Sequence, residues 1–145
     1  MTRVARLFSI AALALALNSC TTYLIPVDSF KQQFAGMDST SLREVTTRGP
    51  AGDRVTYKTY PIDFIKCVDD KGNHFELPNS PSIEIRFTDL RGKRTIFYFD
   101  LMHVTDTAIT GIQSRFIPSI HKTIFISQIK KIEVQDGHKN FHYIK

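Results

Sequence analysis

From Arg54 to Lys145 the chain breaks into short apolar-rich segments, separated by turn-forming clusters roughly every 8–12 residues. Segments of that length are too short for self-supporting helices, and their periodicity is two rather than 3.6. Ile83, Ile85 and Phe87 alternate with Glu84, Arg86 and Thr88, which is the pattern of a strand with one wet face. Ile62, Phe64, Lys66 and Val68 share one parity, with Ile65 and Cys67 on the other. The run Ile96-Phe97-Tyr98-Phe99-Asp100-Leu101-Met102-His103-Val104 is apolar on both parities, which predicts the central, most buried strand, bent near Asp100.

The turns are equally explicit. Asp69-Asp70-Lys71-Gly72-Asn73, Asp89-Leu90-Arg91-Gly92-Lys93 and Thr105-Asp106-Thr107 each separate two such segments, and Asp136-Gly137 reads as a hairpin leading to Phe141-His142-Tyr143-Ile144. Between two late strands, Ser127-Gln128-Ile129 forms a tight 3₁₀-like corner. The expected fold is mainly β: a small antiparallel barrel or sandwich with one short N-terminal helix. Ser29 is the candidate N-cap of that helix, which spans about 29–35 and places Phe30 and Phe34 on one face. Residues 35–54, rich in Ser, Thr, Gly and Asp, read as a loop. The order of elements over about residues 93–136 resembles small SH3-like or Sm-like barrels, a resemblance that bears on fold alone.

The N-terminus carries a different kind of signal. Arg3 and Arg6 precede an apolar run, Leu7 to Leu17. Eleven residues at ~1.5 Å rise cover about 16 Å, roughly half a bilayer core, so the run cannot span a membrane. It ends in Leu17-Asn18-Ser19-Cys20, which resembles the lipobox of bacterial lipoproteins. The resemblance implies a signal peptide over 1–19, cleavage before Cys20 and a diacylglyceryl group on its sulfur. Thr21, in place of Asp, resembles the type sorted to the outer membrane. The expected organisation is therefore a lipid-anchored tether with the short helix and loop over 20–53, then a β-domain over 54–145. The chain as a whole is similar to a small class of uncharacterised bacterial lipoproteins, from which no activity carries over.

Removing residues 1–19 from the 145 leaves 126, and with Arg3 and Arg6 gone the formal charge falls from +5 to +3. That shift and the envelope location argue against nucleic acid as a partner. With Cys20 acylated, Cys67 is a single thiol among apolar neighbours, read as buried and inert.

The remaining chemistry is sparse. His138 and His142 are four residues apart near Asp136 and are the metal candidates, but a site needs three or four ligands, so no metal or cofactor is expected. His74, His103 and His121 are dispersed, and Asp69-Asp70-Lys71-Gly72-Asn73 lacks the ligand spacing of a calcium loop. Carboxylate pairs such as Asp63 with Glu76 or Glu84 depend on spacing in three dimensions. Basic residues gather twice, as Arg86, Arg91, Lys93 and Arg94, and as Lys130, Lys131, His138, Lys139 and Lys145. The second group, interleaved with Phe141 and Tyr143, gives the candidate binding face: Lys130, Lys131, His138, Lys139, Phe141 and Tyr143. The expected function is that of a non-enzymatic, lipid-anchored envelope module. It binds the membrane through Cys20 and contacts an anionic envelope component or a protein partner. Two alternatives are an envelope hydrolase or metal-dependent enzyme, and an inhibitor or immunity-type lipoprotein.

Overall fold

A computed structural model describes residues 21–144. The lipobox reading of Leu17 to Cys20 lies outside the described residues. Twelve strands and one α-helix follow in order: β1 (Thr22–Leu24), α1 (Val27–Phe34), β2 (Arg43–Arg48), β3 (Arg54–Thr59), β4 (Phe64–Val68), β5 (His74–Pro78), β6 (Ile83–Asp89), β7 (Arg94–Tyr98), β8 (Met102–Val104), β9 (Ala108–Ile112), β10 (His121–Phe125), β11 (Ile129–Asp136) and β12 (His142–Ile144). They form a six-stranded sheet in the order β5-β4-β1-β11-β6-β7 and two three-stranded sheets, β10-β9-β8 and β12-β2-β3. Every pairing is antiparallel. The chain is mainly β with one helix, as the patterning predicts, and packed open sheets are realised rather than a closed barrel.

The best-patterned strand behaves as read: Ile83, Ile85 and Phe87 of β6 are buried, and Glu84, Arg86 and Thr88 are half-buried on the other face. In β4 the inward parity is that of Ile65 and Cys67, leaving Phe64 exposed. The Cys67 thiol is free, donates to the Phe75 carbonyl at 3.5 Å, and is pushed up in pKa by burial. Asp69 and Asp89 build matching hairpin turns. Each Oδ1 accepts two backbone N–H groups, and Gly72 and Gly92 each take a φ of 82° that only glycine adopts cheaply. The Asp69 carboxylate is thereby a turn device with a lowered pKa, set first by its bond from the Asn73 side chain.

Five sequence expectations change. The segment read as a tether supplies β1, which pairs with β11 over Thr22–Leu24 and lies inside the six-stranded sheet. The helix starts two residues early, after Pro26 instead of a Ser29 cap. Its face docks through Phe30 on Phe87 (ring centroids 5.6 Å) and Phe34 on Tyr60 (5.2 Å). Gln33 accepts from the Lys66 N–H (2.7 Å) and donates to its carbonyl (3.0 Å), so the helix seals the β4 edge where β1 ends.

Within the expected loop, Arg43-Glu44-Val45-Thr46-Thr47-Arg48 forms β2. Its polarity hid it, because only Thr47 is buried there. The run from Ile96 to Val104 is not a central strand. It is β7 at a sheet edge, a 3₁₀ turn over Phe99–Leu101, and β8 in another sheet. The turn rotates the chain, so Phe97, Tyr98, Phe99 and Asp100 are all buried despite alternating parity. Finally, Asp136-Gly137 does not close a hairpin. Both edges of β11 are filled by β1 and β6, so β12 pairs with β2 instead.

Candidate functional site

The feature that organises the molecule chemically is a carboxylate in the 3₁₀ turn between two sheets. Asp100 is fully buried, with a side chain 0% exposed, and Arg115 beside it is 6% exposed. Arg115 Nη2 donates to Asp100 Oδ1, and Oδ2 accepts from the hydroxyls of Tyr57 and Tyr143, the latter at 2.9 Å. Arg115 also donates through Nη1 to the Tyr57 hydroxyl (3.2 Å) and through Nε to the Pro81 carbonyl (2.9 Å). Its guanidinium lies 4.5 Å from the Tyr98 ring centroid and 5.3 Å from that of Phe141. Both charges are thus paired and hydrogen-bonded, which is the condition for tolerating them in the interior.

The partners come from every layer. Tyr57 is on β3, Tyr143 on β12, Tyr98 on β7, and Arg115 follows β9. One carboxylate therefore ties the three sheets at their junction. Burial first, and then the negative charge of Asp100, push both tyrosine hydroxyls well above their ordinary ionisation range.

Above this floor is an apolar cleft of ≈160 Å³, lined chiefly by Val55, Tyr57, Leu101, Ile112, Phe116 and Phe141. Its lip is exposed: Phe116 is 72% accessible and Val55 is also open to solvent, and Ile117 and Ile120, in the segment that carries Phe116, are exposed as well. Single exposed apolar residues are ordinary, but two lining one apolar cleft are less so. β3, which supplies Val55 and Tyr57, is an edge strand with β2 on one side only. Arg48 and Arg54, both exposed, pair across the same hairpin.

The candidates drawn from the sequence are dispersed. Phe141 is buried, packing on Phe116 with centroids 5.8 Å apart, and Tyr143 turns inward to Asp100, so the two rings form no external stacking platform. Lys139 is held by Glu84 and by the Tyr98 hydroxyl at 2.8 Å. Burial alone would lower its pKa, yet these two bonds outweigh it and raise it. His138 sits at φ 49° with Asp136 at 3.6 Å, and His142 meets Asn140 at 2.8 Å, each exposed.

Lys130 and Lys131 are exposed at the start of β11, with Lys131 paired to Glu133. That strand has eight residues, so its two ends are roughly 24 Å apart, and the basic face is split between them. Among the described residues no group of three or more His, Cys, Asp or Glu side chains is placed to hold a metal. The carboxylates do not converge: Asp63 pairs with Arg43, and Glu84 with Lys139.

Reading the sequence for charge clusters missed Asp100 and Arg115. The available signal was an acidic residue inside an apolar run, which burial forces to find a cation. Comparison with family models, curated proteins and solved structures finds no match to this chain.

Proposed function

We propose that this protein is a lipid-anchored envelope module, non-enzymatic, that receives an extended segment of a protein partner at the β3 edge, one apolar side chain filling the cleft. The observation that carries this is the cleft itself: a preformed apolar cavity of ≈160 Å³ beside an open strand edge, floored by a rigid ion pair. A cavity on the order of 150 Å³ accepts a benzene-sized group, hence one aromatic or branched side chain. The edge of β3 offers backbone groups for strand addition, and Arg48 and Arg54 favour an acidic flank on the partner.

The geometry also agrees with anchoring. β1 begins two residues after Cys20, a reach of about 7 Å, so acylation there would hold the sheet close to the bilayer. Arg115 bonds to Pro81, just before β6, at the end of the sheet where β1 starts, so the cleft floor belongs to the bilayer-proximal end. Among the described residues no helix is long and apolar enough to cross a membrane.

A photoreactive amino acid at Val55 or Phe116, in cells producing the acylated chain, tests the site. The expected result is a crosslink to one discrete envelope protein, lost on Val55→Asp and absent when the probe replaces Lys130. Crosslinks to lipid alone, or equal crosslinking from Lys130, would overturn the reading. Anchoring has its own test: Cys20→Ala should abolish labelling by a clickable fatty acid and release the protein from membranes.

A further inference from the structure

A second site lies at the other end of the six-stranded sheet. The Asp89 turn brings Arg91 and Lys93 to a groove whose far wall is β10, with Lys122, Ile124 and Phe125. On β10, Lys122 and Ile124 are half-buried and alternate with exposed His121, Thr123 and Phe125. Lys122 pairs with Gly111 of β9, and Gly111 lies so close to the Phe97 ring that a Cβ there would overlap it. The lysine is therefore drawn in between two sheets rather than spread on a surface. Its Nζ donates to Thr95 Oγ1 at 2.9 Å, and Thr95 is itself only 5% exposed. Accepting that bond leaves the Thr95 hydroxyl proton free to donate.

The charges here are unbalanced. Among the described residues, Arg91, Lys93 and Lys122 make no ion pair, whereas Lys131 and Lys139 do. Asp89 is the carboxylate facing the groove, and its Oδ1 is committed to the backbone N–H groups of Arg91 and Lys93. Burial, and then the nearby Lys93 charge, lower the pKa of Lys122, with Asp89 partly opposing. Two ammonium groups held near one another beside a buried hydroxyl cost energy unless an anion sits between them.

We propose that Arg91, Lys93, Lys122 and Thr95 form a binding site for a phosphate-type oxyanion in the groove between the β6–β7 turn and β10. The groove holds ≈280 Å³, ample for a tetrahedral anion and an adjoining carbon group along Phe87, Ile124 and Phe125. The Lys and Arg donors match charge-assisted bonds to phosphate oxygens; Arg91 and Lys93 are exposed, and the half-buried position of Lys122 strengthens its own bond. The site stands apart from the cleft and does not rest on it. β6 has seven residues, which puts the groove roughly 20 Å from the sheet end where β1 begins. An acyl group at Cys20 would leave it facing away from the anchoring bilayer, so the phosphate is one borne by a solute or polymer.

The test uses the full chain carrying Cys20→Ala and follows lysine side-chain NMR signals during titration with inorganic phosphate, then glycerol phosphate, against chloride at matched ionic strength. The expected result is a saturable shift confined to Lys93 and Lys122, with the Lys122 ammonium titrating at higher pH in the phosphate-bound protein. Lys93→Gln with Lys122→Gln should weaken binding about tenfold or more, while Lys130→Gln with Lys131→Gln leaves it unchanged. The wild-type titration stands even if the double variant fails to fold. Non-saturating shifts, equal shifts with chloride, or equal loss in the Lys130/Lys131 control would each overturn the site. Binding only to phosphatidic acid vesicles, with none to either soluble phosphate, would overturn it too.

Discussion

Replacing Asp100 with asparagine keeps the shape of the side chain and removes its charge. The consequence follows from what stays behind. Arg115, 6% exposed, keeps its bonds to Tyr57 and Pro81 and its stacking on Tyr98 and Phe141, but no counter-charge remains. Cation–π contacts of about 0.5–2 kcal/mol do not offset an uncompensated buried guanidinium. Breaking a buried pair from one side costs about 3–5 kcal/mol, set against a total stability of about 5–15 kcal/mol for a domain. Asp100→Asn should therefore lower the midpoint of urea unfolding, followed by circular dichroism, with the m-value unchanged.

Removing both partners should cost less than the sum of the single losses. In Asp100→Leu with Arg115→Met the orphaned charge is gone, although Tyr57 and Tyr143 lose an acceptor worth about 1–3 kcal/mol. A coupling energy of about 2–3 kcal/mol is the expected outcome of that cycle. A loss below about 1 kcal/mol for Asp100→Asn, or additive single losses, would refute the idea that this carboxylate holds the sheet junction.

Other expectations are simpler. Gly111→Ala drives a methyl into Phe97 and should destabilise by about 1–3 kcal/mol, read from the same unfolding curves. Tyr57 and Tyr143 have raised pKa values from burial and the Asp100 charge, so the folded state retains protons that the unfolded chain loses above its ordinary tyrosine value of 10.0. Their contribution is fully present below that pH and falls as pH rises beyond it, by about 1.4 kcal/mol per pH unit for each proton. Alkaline unfolding titrations should show the slope and its reduction in Asp100→Asn. Phe116→Ala, at a residue 72% exposed, should change stability by less than about 0.5 kcal/mol while weakening the crosslink from Val55. Cys67, buried and raised in pKa, should react with a disulfide reagent only as fast as the protein opens.

Much of the local structure was legible because its causes are local. Alternation gave β6, and Asp with Gly gave the turns at Asp69 and Asp89. The Phe30/Phe34 spacing gave the helix, although its first residue moved. What escaped was non-local. β2 could not be read from Arg43-Glu44-Val45-Thr46-Thr47-Arg48, because it gains little from burial and is held by its neighbours β3 and β12. Phe141 and Tyr143 illustrate the same limit at the site. Period two assigns them to a common face, but which face points inward depends on the sheet that β12 joins.

By itself, then, the sequence determined that this chain is antiparallel β with one docked helix, and where most of its turns fall. Those features depend on residues a few positions apart, whose backbone preferences act before any distant contact forms. The tertiary structure alone decided that Thr22–Leu24 enters the six-stranded sheet, that Asp100 meets Arg115, Tyr57 and Tyr143, and that Lys93 and Lys122 share a groove. Such meetings join residues separated by up to 113 positions. They are fixed by which sheet edges remain open and which buried charges must find partners.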